Sequence, residues 1–183
     1  MDILDKLELP LTRTDQDPCQ IVVMTCGIAG AGKSTLSRAI VARYPNYQRL
    51  SCDYLLHAKH GLYRIDYPVE KHEQYLDEAT EQFDSILVDL LSKGEKDIVL
   101  DRSLYAREDR DYYKKLVEEK GGRWILVYFR PASKELIWQR IQNRRKEGID
   151  ADCALEISEE LLDQYWDGFE IPSGEGEIVV DVT

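Results

Sequence analysis

Nine residues, GIAGAGKST at positions 27–35, constrain this chain more than any other stretch. They follow an apolar run, Ile21, Val22, Val23 and Met24, and lead into Leu36, Ile40 and Val41 at helical spacing. Gly27, Gly32, Lys33 and Ser34 match GxxxxGK[ST], the pattern of a loop that joins a buried strand to a helix and holds phosphate. Glycines let the backbone curl so that successive N–H groups point inward at phosphate oxygens, and the helix N-terminus adds positive potential. In such a loop Lys33 reaches the β and γ oxygens, the Ser34 hydroxyl ligates Mg²⁺, and Gly30 and Ala31 keep the outer face small. Gly27, Ile28, Ala29, Gly30, Ala31, Gly32, Lys33, Ser34 and Thr35 are the expected nucleotide-binding residues, with ATP and Mg²⁺ as cofactors.

Around this loop the chain alternates between two periodicities. Residues 20–26, 48–52, 97–101, 123–129 and 177–182 read as strands, being short apolar runs of the kind buried on both faces. Residues 33–44, 70–93, 107–120, 132–146 and 157–166 carry helical spacing, with a further short helix near 54–60. Gly94 and the pair Gly121 and Gly122 stand where helices should stop. Alternation of this kind predicts an α/β fold: a single P-loop NTPase domain, nucleoside-kinase-like, whose five-stranded mostly parallel sheet carries helices on both faces. A length of 183 residues suits one core, placed at 19–183, after an arm at 1–18 that is expected to be poorly anchored.

Composition narrows the partners. A formal charge of −11 disfavours nucleic acid, which would need a local basic patch. The four cysteines, Cys19, Cys26, Cys52 and Cys153, lack CxxC pairing, which argues against a zinc site or a disulfide framework. No leader pattern opens the chain and no run approaches about 18 apolar residues, so a cytoplasmic protein without membrane partners is expected. The oligomeric state is left open.

A phosphate loop serves GTPases, ATPases and kinases alike. No NKxD stretch for guanine is present, and "DIVLDRS" (97–103) ends in Asp101 followed by Arg102, without the Asp-Glu pair that many hydrolytic ATPases use to activate water. Asp53, in "RLSCDYL", is expected to end the second strand, beside the phosphate loop, where its carboxylate would aim an acceptor hydroxyl in line with the γ-phosphate. It would equally serve as the N-cap of the following helix. Asp101 would hold a Mg²⁺-bound water or the acceptor, or cap the next helix. In "WQRIQNRRKEG" (138–148), Arg140 and Arg144 share a helical face, with Arg145 and Lys146 alongside; they would close over the triphosphate, or pair with Glu135 or Glu147.

Together, GIAGAGKST, Asp53, "VLDRS…REDR" and an Arg-x-x-x-Arg lid helix resemble the P-loop kinases related to phage polynucleotide kinase, zeta toxins and chloramphenicol phosphotransferase. By this resemblance Asp53 matches the acceptor-orienting carboxylate, Arg140 and Arg144 match lid arginines within a lid around 138–150, and Arg110 matches an arginine common in the group. Lys33, Asp53, Arg140 and Arg144 are thus the catalytic candidates, and Ser34 and Asp101 the metal ligands. The resemblance also implies that residues 171–176 pass beside the adenine. It departs at "YLLHAKHGLYRIDYPVEKHEQY" (54–75), which is no basic channel. There Tyr63, Arg64, Asp66, Tyr67 and His72 would shape a pocket, or pin a loop to the core, while His57 and His60 read as surface histidines.

The expected activity is an ATP- and Mg-dependent phosphotransferase acting on a hydroxyl of a small molecule. Two alternatives stand beside it: a kinase of polynucleotide 5′-hydroxyls, and a regulatory ATP-binding module with slow hydrolysis.

Overall fold

The computed structural model describes Leu4 and residues 10–183. Five strands, β1 (Ile21–Cys26), β2 (Tyr47–Ser51), β3 (Asp97–Asp101), β4 (Arg123–Pro131) and β5 (Glu177–Val182), form one sheet in the order β2-β3-β1-β4-β5. Every neighbouring pair is parallel. Six α-helices connect them among the described residues: α1 (Lys33–Arg43), α2 (Cys52–His60), α3 (His72–Lys93), α4 (Arg107–Glu119), α5 (Lys134–Glu147) and α6 (Glu159–Gly168).

The strands are apolar throughout because the sheet is covered on both sides. Side chains alternate across a strand, and Ile21 and Val23 of β1 pack with Leu36 and Ile40 of α1 and Ile137 and Ile141 of α5. Their neighbours Val22, Met24 and Cys26 pack with Phe83, Leu87 and Leu91 of α3 and Tyr113 and Val117 of α4. All six residues of β1 and all five of β3 are buried. Ser51, Ser133 and Ser158 start α2, α5 and α6 by accepting a hydrogen bond from the backbone N–H three residues on.

Three expectations are corrected here. The second strand does not lie beside the phosphate-loop strand: β3 is inserted between β1 and β2, so Asp101 is carried closer to the loop than Asp53 is. Asp53 does not end a strand either, because the Ser51 cap starts α2 at Cys52 and puts Asp53 in the first helical turn. The described part of the arm, Leu4 and residues 10–18, is anchored. Residues 1–3 and 5–9 lie outside the described residues, but Leu4 and Leu11 join the core under α1. Arg13 pairs with buried Asp97 at 2.8 Å, Tyr47 Oη donates to the Leu11 carbonyl at 2.9 Å, and Arg123 holds Asp17 at 2.7 Å.

Candidate functional site

Residues 27–32 turn from the carboxyl end of β1 into α1 through three glycines with positive φ: Gly27 at 147°, Gly30 at 79° and Gly32 at 112°. A side chain would be strained at each and crowded at two. A Cβ at Gly27 would lie 3.2 Å from Phe129 of β4, and one at Gly30 would lie 2.9 Å from Ile141 of α5. The loop is thus moulded between β4 below and the helix expected as a lid. That helix is only half a lid, since Ile137 and Ile141 belong to the core and fix its first turns. The Gly27 N–H donates to the Ser103 carbonyl at 2.9 Å, which ties the loop's start to the exit of β3.

In contrast to α2, α5 and α6, α1 has no side-chain cap and no acidic residue in its first turn. Its opening N–H groups and the positive end of its dipole are left to a ligand, which is what an anion site needs. Lys33 crosses the loop and donates to the Ile28 carbonyl at 2.8 Å. Burial lowers its pKa, against the opposing pull of Asp101 and Asp53.

Asp101, buried at the end of β3, faces both the loop and β2. Its Oδ1 accepts from Ser34 Oγ at 3.5 Å, and its Oδ2 accepts from Arg49 Nε of β2 at 2.7 Å. It caps no helix; α4 starts at Arg107, and Ala106 at its cap position offers no side-chain cap. The hydroxyl and carboxylate pair suits Mg²⁺, which takes one or two protein oxygens and completes its shell with substrate phosphates and water. Among the described residues no three His, Cys, Asp or Glu gather as a closed metal cage, so this open pair is the donor set on offer.

Asp53 projects from the first turn of α2 with its surface open to solvent. Protein crowds the carboxyl nonetheless. Burial and then the neighbouring Asp101 raise its pKa, partly offset by Lys33. Ser51, two residues before Asp53, is the register partner of Asp101, and Asp101 meets Ser34 next to Lys33, so all three groups lie at the carboxyl ends of the strands, where open parallel sheets bind ligands.

The lid arginines diverge. Arg144 turns toward this centre and reaches Asp150 at 3.3 Å and Asp152 at 3.9 Å, rather than Glu135 or Glu147. Arg140 donates to the Thr183 carbonyl at 2.9 Å, beyond β5, so the two do not act as a pair in this structure. Arg145 donates to the carbonyls of Cys153 and Leu155. Arg110 is fully buried and grips Glu175 with two bonds of 2.8 Å, which makes it a scaffold residue. Glu175 in turn anchors residues 171–176 along α4. They lead into β5, which begins opposite Leu126 and so level with Met24 of β1, while Glu175 is held by Arg110, one of whose other partners, the Leu104 carbonyl, also contacts Cys26 just before the phosphate loop.

The Tyr-rich segment divides. Tyr67 is 6% exposed and packs with Leu56 and Ala79, and its hydroxyl shares a hydrogen bond with His72 Nδ1 at 3.0 Å. Asp66 accepts from the Leu62 N–H at 2.7 Å and lies against Gly61. These three pin the loop instead of lining a pocket. Tyr63 meets Tyr67 edge-on and His72 at a tilt, and Arg64 pairs with exposed Glu156 at 2.8 Å. His60 is not a plain surface histidine: it stacks on Tyr75 at 3.6 Å and meets Glu78 at 3.2 Å.

Sequence reasoning missed Arg38, Arg49, Asp150 and Asp152. Arg38 meets Asp152 at 3.1 Å, and Arg49 bonds the same carboxylate. The only sequence signal was a spacing: Arg38 stands four residues after Ser34 on α1, hence on the same face.

A family model described as an AAA domain matches residues 22–172. No curated protein matches the chain. Among solved structures, a candidate kinase from Chloroflexus aurantiacus J-10-fl superposes with a TM-score of 0.68 at 17% identity, covering 89% of this chain and 85% of that one. The Pnkp1/Rnl/Hen1 RNA repair complex gives 0.60 at 18% identity, over 82% of this chain and 45% of that one. The APS kinase CysC of Mycobacterium tuberculosis, in complex with AMPPNP and APS, gives 0.58 at 14% identity, over 89% and 88%. At these identities the likeness establishes the fold, that of the P-loop kinases. No helix among the described residues is long and apolar enough to cross a membrane.

Proposed function

The chain belongs to the AAA domain family, and on that premise we propose that it is an ATP- and Mg-dependent phosphotransferase that moves the γ-phosphate to a hydroxyl of a small molecule. The observation that carries this reading is the placement of Asp53 two residues after Ser51, the register partner of Asp101, whose carboxylate meets Ser34 next to Lys33 at an uncapped helix N-terminus. The Asp-Glu pair with which many hydrolytic ATPases activate water is missing after β3, whereas Asp53 offers a carboxylate that can aim an acceptor hydroxyl.

Residues 27–35 bind the phosphates through the loop N–H groups and the start of α1. Lys33 exchanges the Ile28 carbonyl for phosphate oxygens. Ser34 and Asp101 would hold Mg²⁺, which would neutralise charge on the transferring group. Asp53 accepts a hydrogen bond from the acceptor hydroxyl, orients its oxygen, and takes the proton late, since a loose transition state demands alignment before proton removal. Its raised pKa makes it a better proton acceptor than a free carboxylate. Arg144 stabilises charge spreading onto the equatorial oxygens once it leaves Asp150 and Asp152. Arg140 joins it only by giving up the Thr183 carbonyl.

The net charge of −11 and the pinned, mildly charged segment after α2 count against a polynucleotide end as acceptor, although one similar structure comes from an RNA repair complex. A reducing cytoplasm, in which the four free cysteines remain thiols, accompanies this reading. Offering labelled Mg·ATP with a pool of hydroxylated metabolites and a separate pool of 5′-hydroxyl oligonucleotides tests it. Label in the metabolite pool is expected; label on oligonucleotides, or only free phosphate, would replace it with one of the two alternatives.

A further inference from the structure

Asp152 is held in an unusual way for a loop residue. It sits in a single 3₁₀ turn, Ala151–Cys153, between the end of α5 and the start of α6, yet its side chain is only 5% exposed. Three guanidinium groups surround it: Arg38 of α1 at 3.1 Å, Arg49 of β2 in direct contact, and Arg144 of α5 at 3.9 Å. Asp150 lies on the outer side, 3.7 Å from Arg38 and 3.3 Å from Arg144. In a chain with 24 basic residues against 35 acidic ones, three arginines aimed at one point form a concentrated positive patch. Without the two loop aspartates, Asp101 is the one carboxylate in contact with it among the described residues.

The position matters as much as the charge. Arg49 shares Asp101 with Ser34, and Arg38 follows Ser34 by one helical turn, so the cluster adjoins the phosphate loop on the β2 side. Asp152 and Arg49 are both close enough to Asp53 to influence its charge. Guanidinium forks match carboxylate and phosphate oxygens two at a time.

We propose that Arg38 and Arg49 form the seat for an oxyanion of the acceptor, a carboxylate or a phosphate, and that Asp152 is the chain's own occupant of that seat. This deepens the kinase reading and rests on it for the word acceptor: the substrate is a hydroxylated acid or phosphate ester, gripped by its anion at Arg38 and Arg49 while its hydroxyl faces Asp53. Removing Asp152 from the seat also takes away one of the two carboxylates on Arg144 and leaves Asp150 as the other.

The test is calorimetric titration of the full chain with sodium phosphate, and separately with malonate, at constant ionic strength in the Lys33→Ala background, which weakens the phosphate loop's own grip. Asp152→Asn is expected to tighten one or both anions about tenfold, and adding Arg38→Gln, on a half-exposed side chain, to reverse the gain. Phosphate or malonate responding alone tells which oxyanion the seat takes. Unchanged affinity in Asp152→Asn, or a gain that survives Arg38→Gln, overturns the seat. Should Asp152→Asn fail to fold, Arg38→Gln alone must weaken anion binding in the otherwise unaltered chain, or the proposal falls. Matched acceptors give a second reading in the transfer assay: a neutral polyol, the corresponding sugar acid and its phosphate ester. Preference for an acidic form by about tenfold or more supports the seat. Preference for the neutral polyol overturns it and leaves the kinase reading intact. Transfer to none of them contradicts the kinase reading, and the titration then decides the seat alone.

Discussion

The molecule contains two arginine and carboxylate clusters built from the same chemistry in opposite settings. Around Arg110 everything is closed: the guanidinium is fully buried, Glu175 takes two of its N–H groups, the Leu104 and Tyr105 carbonyls take another, and Lys114 completes the carboxylate's partners. Around Arg49 and Asp101 the partners are shared and one side is open. Arg38 is half-exposed, Arg144 a third exposed, and the occupying carboxylate arrives on a short loop turn. A buried ion pair with every partner fixed holds a scaffold, whereas one whose partners can be exchanged is suited to binding and release.

Breaking the closed cluster should give the largest effect. Glu175→Gln strands Arg110 in the interior and is expected to cost about 3–5 kcal/mol of stability, visible as a lower urea midpoint. Activity per folded molecule should persist. The same pair sets an acid response: hydrogen bonding from Arg110 holds the Glu175 carboxyl down at about 2, below the ordinary value near 4.3. Its stabilisation is therefore present above the unfolded value and lost as pH falls from there toward 2, a slope that Glu175→Gln should flatten in pH-dependent unfolding.

On the open side, Lys33→Ala should reduce transfer about 10³-fold, measured as kcat with labelled ATP, because the main cation on the phosphates is gone. Asp53→Asn should reduce kcat about 10²-fold while leaving the Kd for AMPPNP within about twofold. The pH profile sharpens that assignment. Transfer needs ionised Asp53, and burial with Asp101 raises its pKa, so kcat/KM should fall at a higher pH than an ordinary aspartate near 3.9 would dictate. The Asn variant should lack that acid limb. The smallest effect belongs to the arm, where Arg13→Ala removes one partner of Asp97, which Asn46 and the Ile21 N–H still satisfy. A loss of about 1–2 kcal/mol in chemical denaturation, with unchanged turnover, is expected.

Much of the scaffold was legible because it is local. The phosphate loop is a contiguous pattern, and β3 and β5 have the bounds that their apolar runs predict. Asp53 was misplaced by a cap: Ser51 carried the signal, a serine three residues before Tyr54, and the apolar run through Cys52 masked it. Strand order has no local signature, so the insertion of β3 between β1 and β2 was out of reach. The same holds for the arginine cluster. Arg38, Arg49 and Asp152 are separated by up to 114 residues in sequence and meet only because α1, β2 and the turn after α5 converge at one end of the sheet. Arg140 and Arg144 show the converse failure. Their spacing was read correctly as one helical face, yet the helix lies so that one reaches the end of β5 and the other the acidic turn.

The central claim is that Asp53 aims an acceptor at a phosphate held by Lys33 and the glycine loop. Its most direct test is the fate of labelled γ-phosphate from Mg·ATP in the presence of a small-molecule acceptor pool, for the native chain and for Asp53→Asn at equal AMPPNP occupancy. The account predicts label in a hydroxylated small molecule with the native chain and about a hundredfold less with the variant. Release of label only as inorganic phosphate, at the same rate in both, would contradict it.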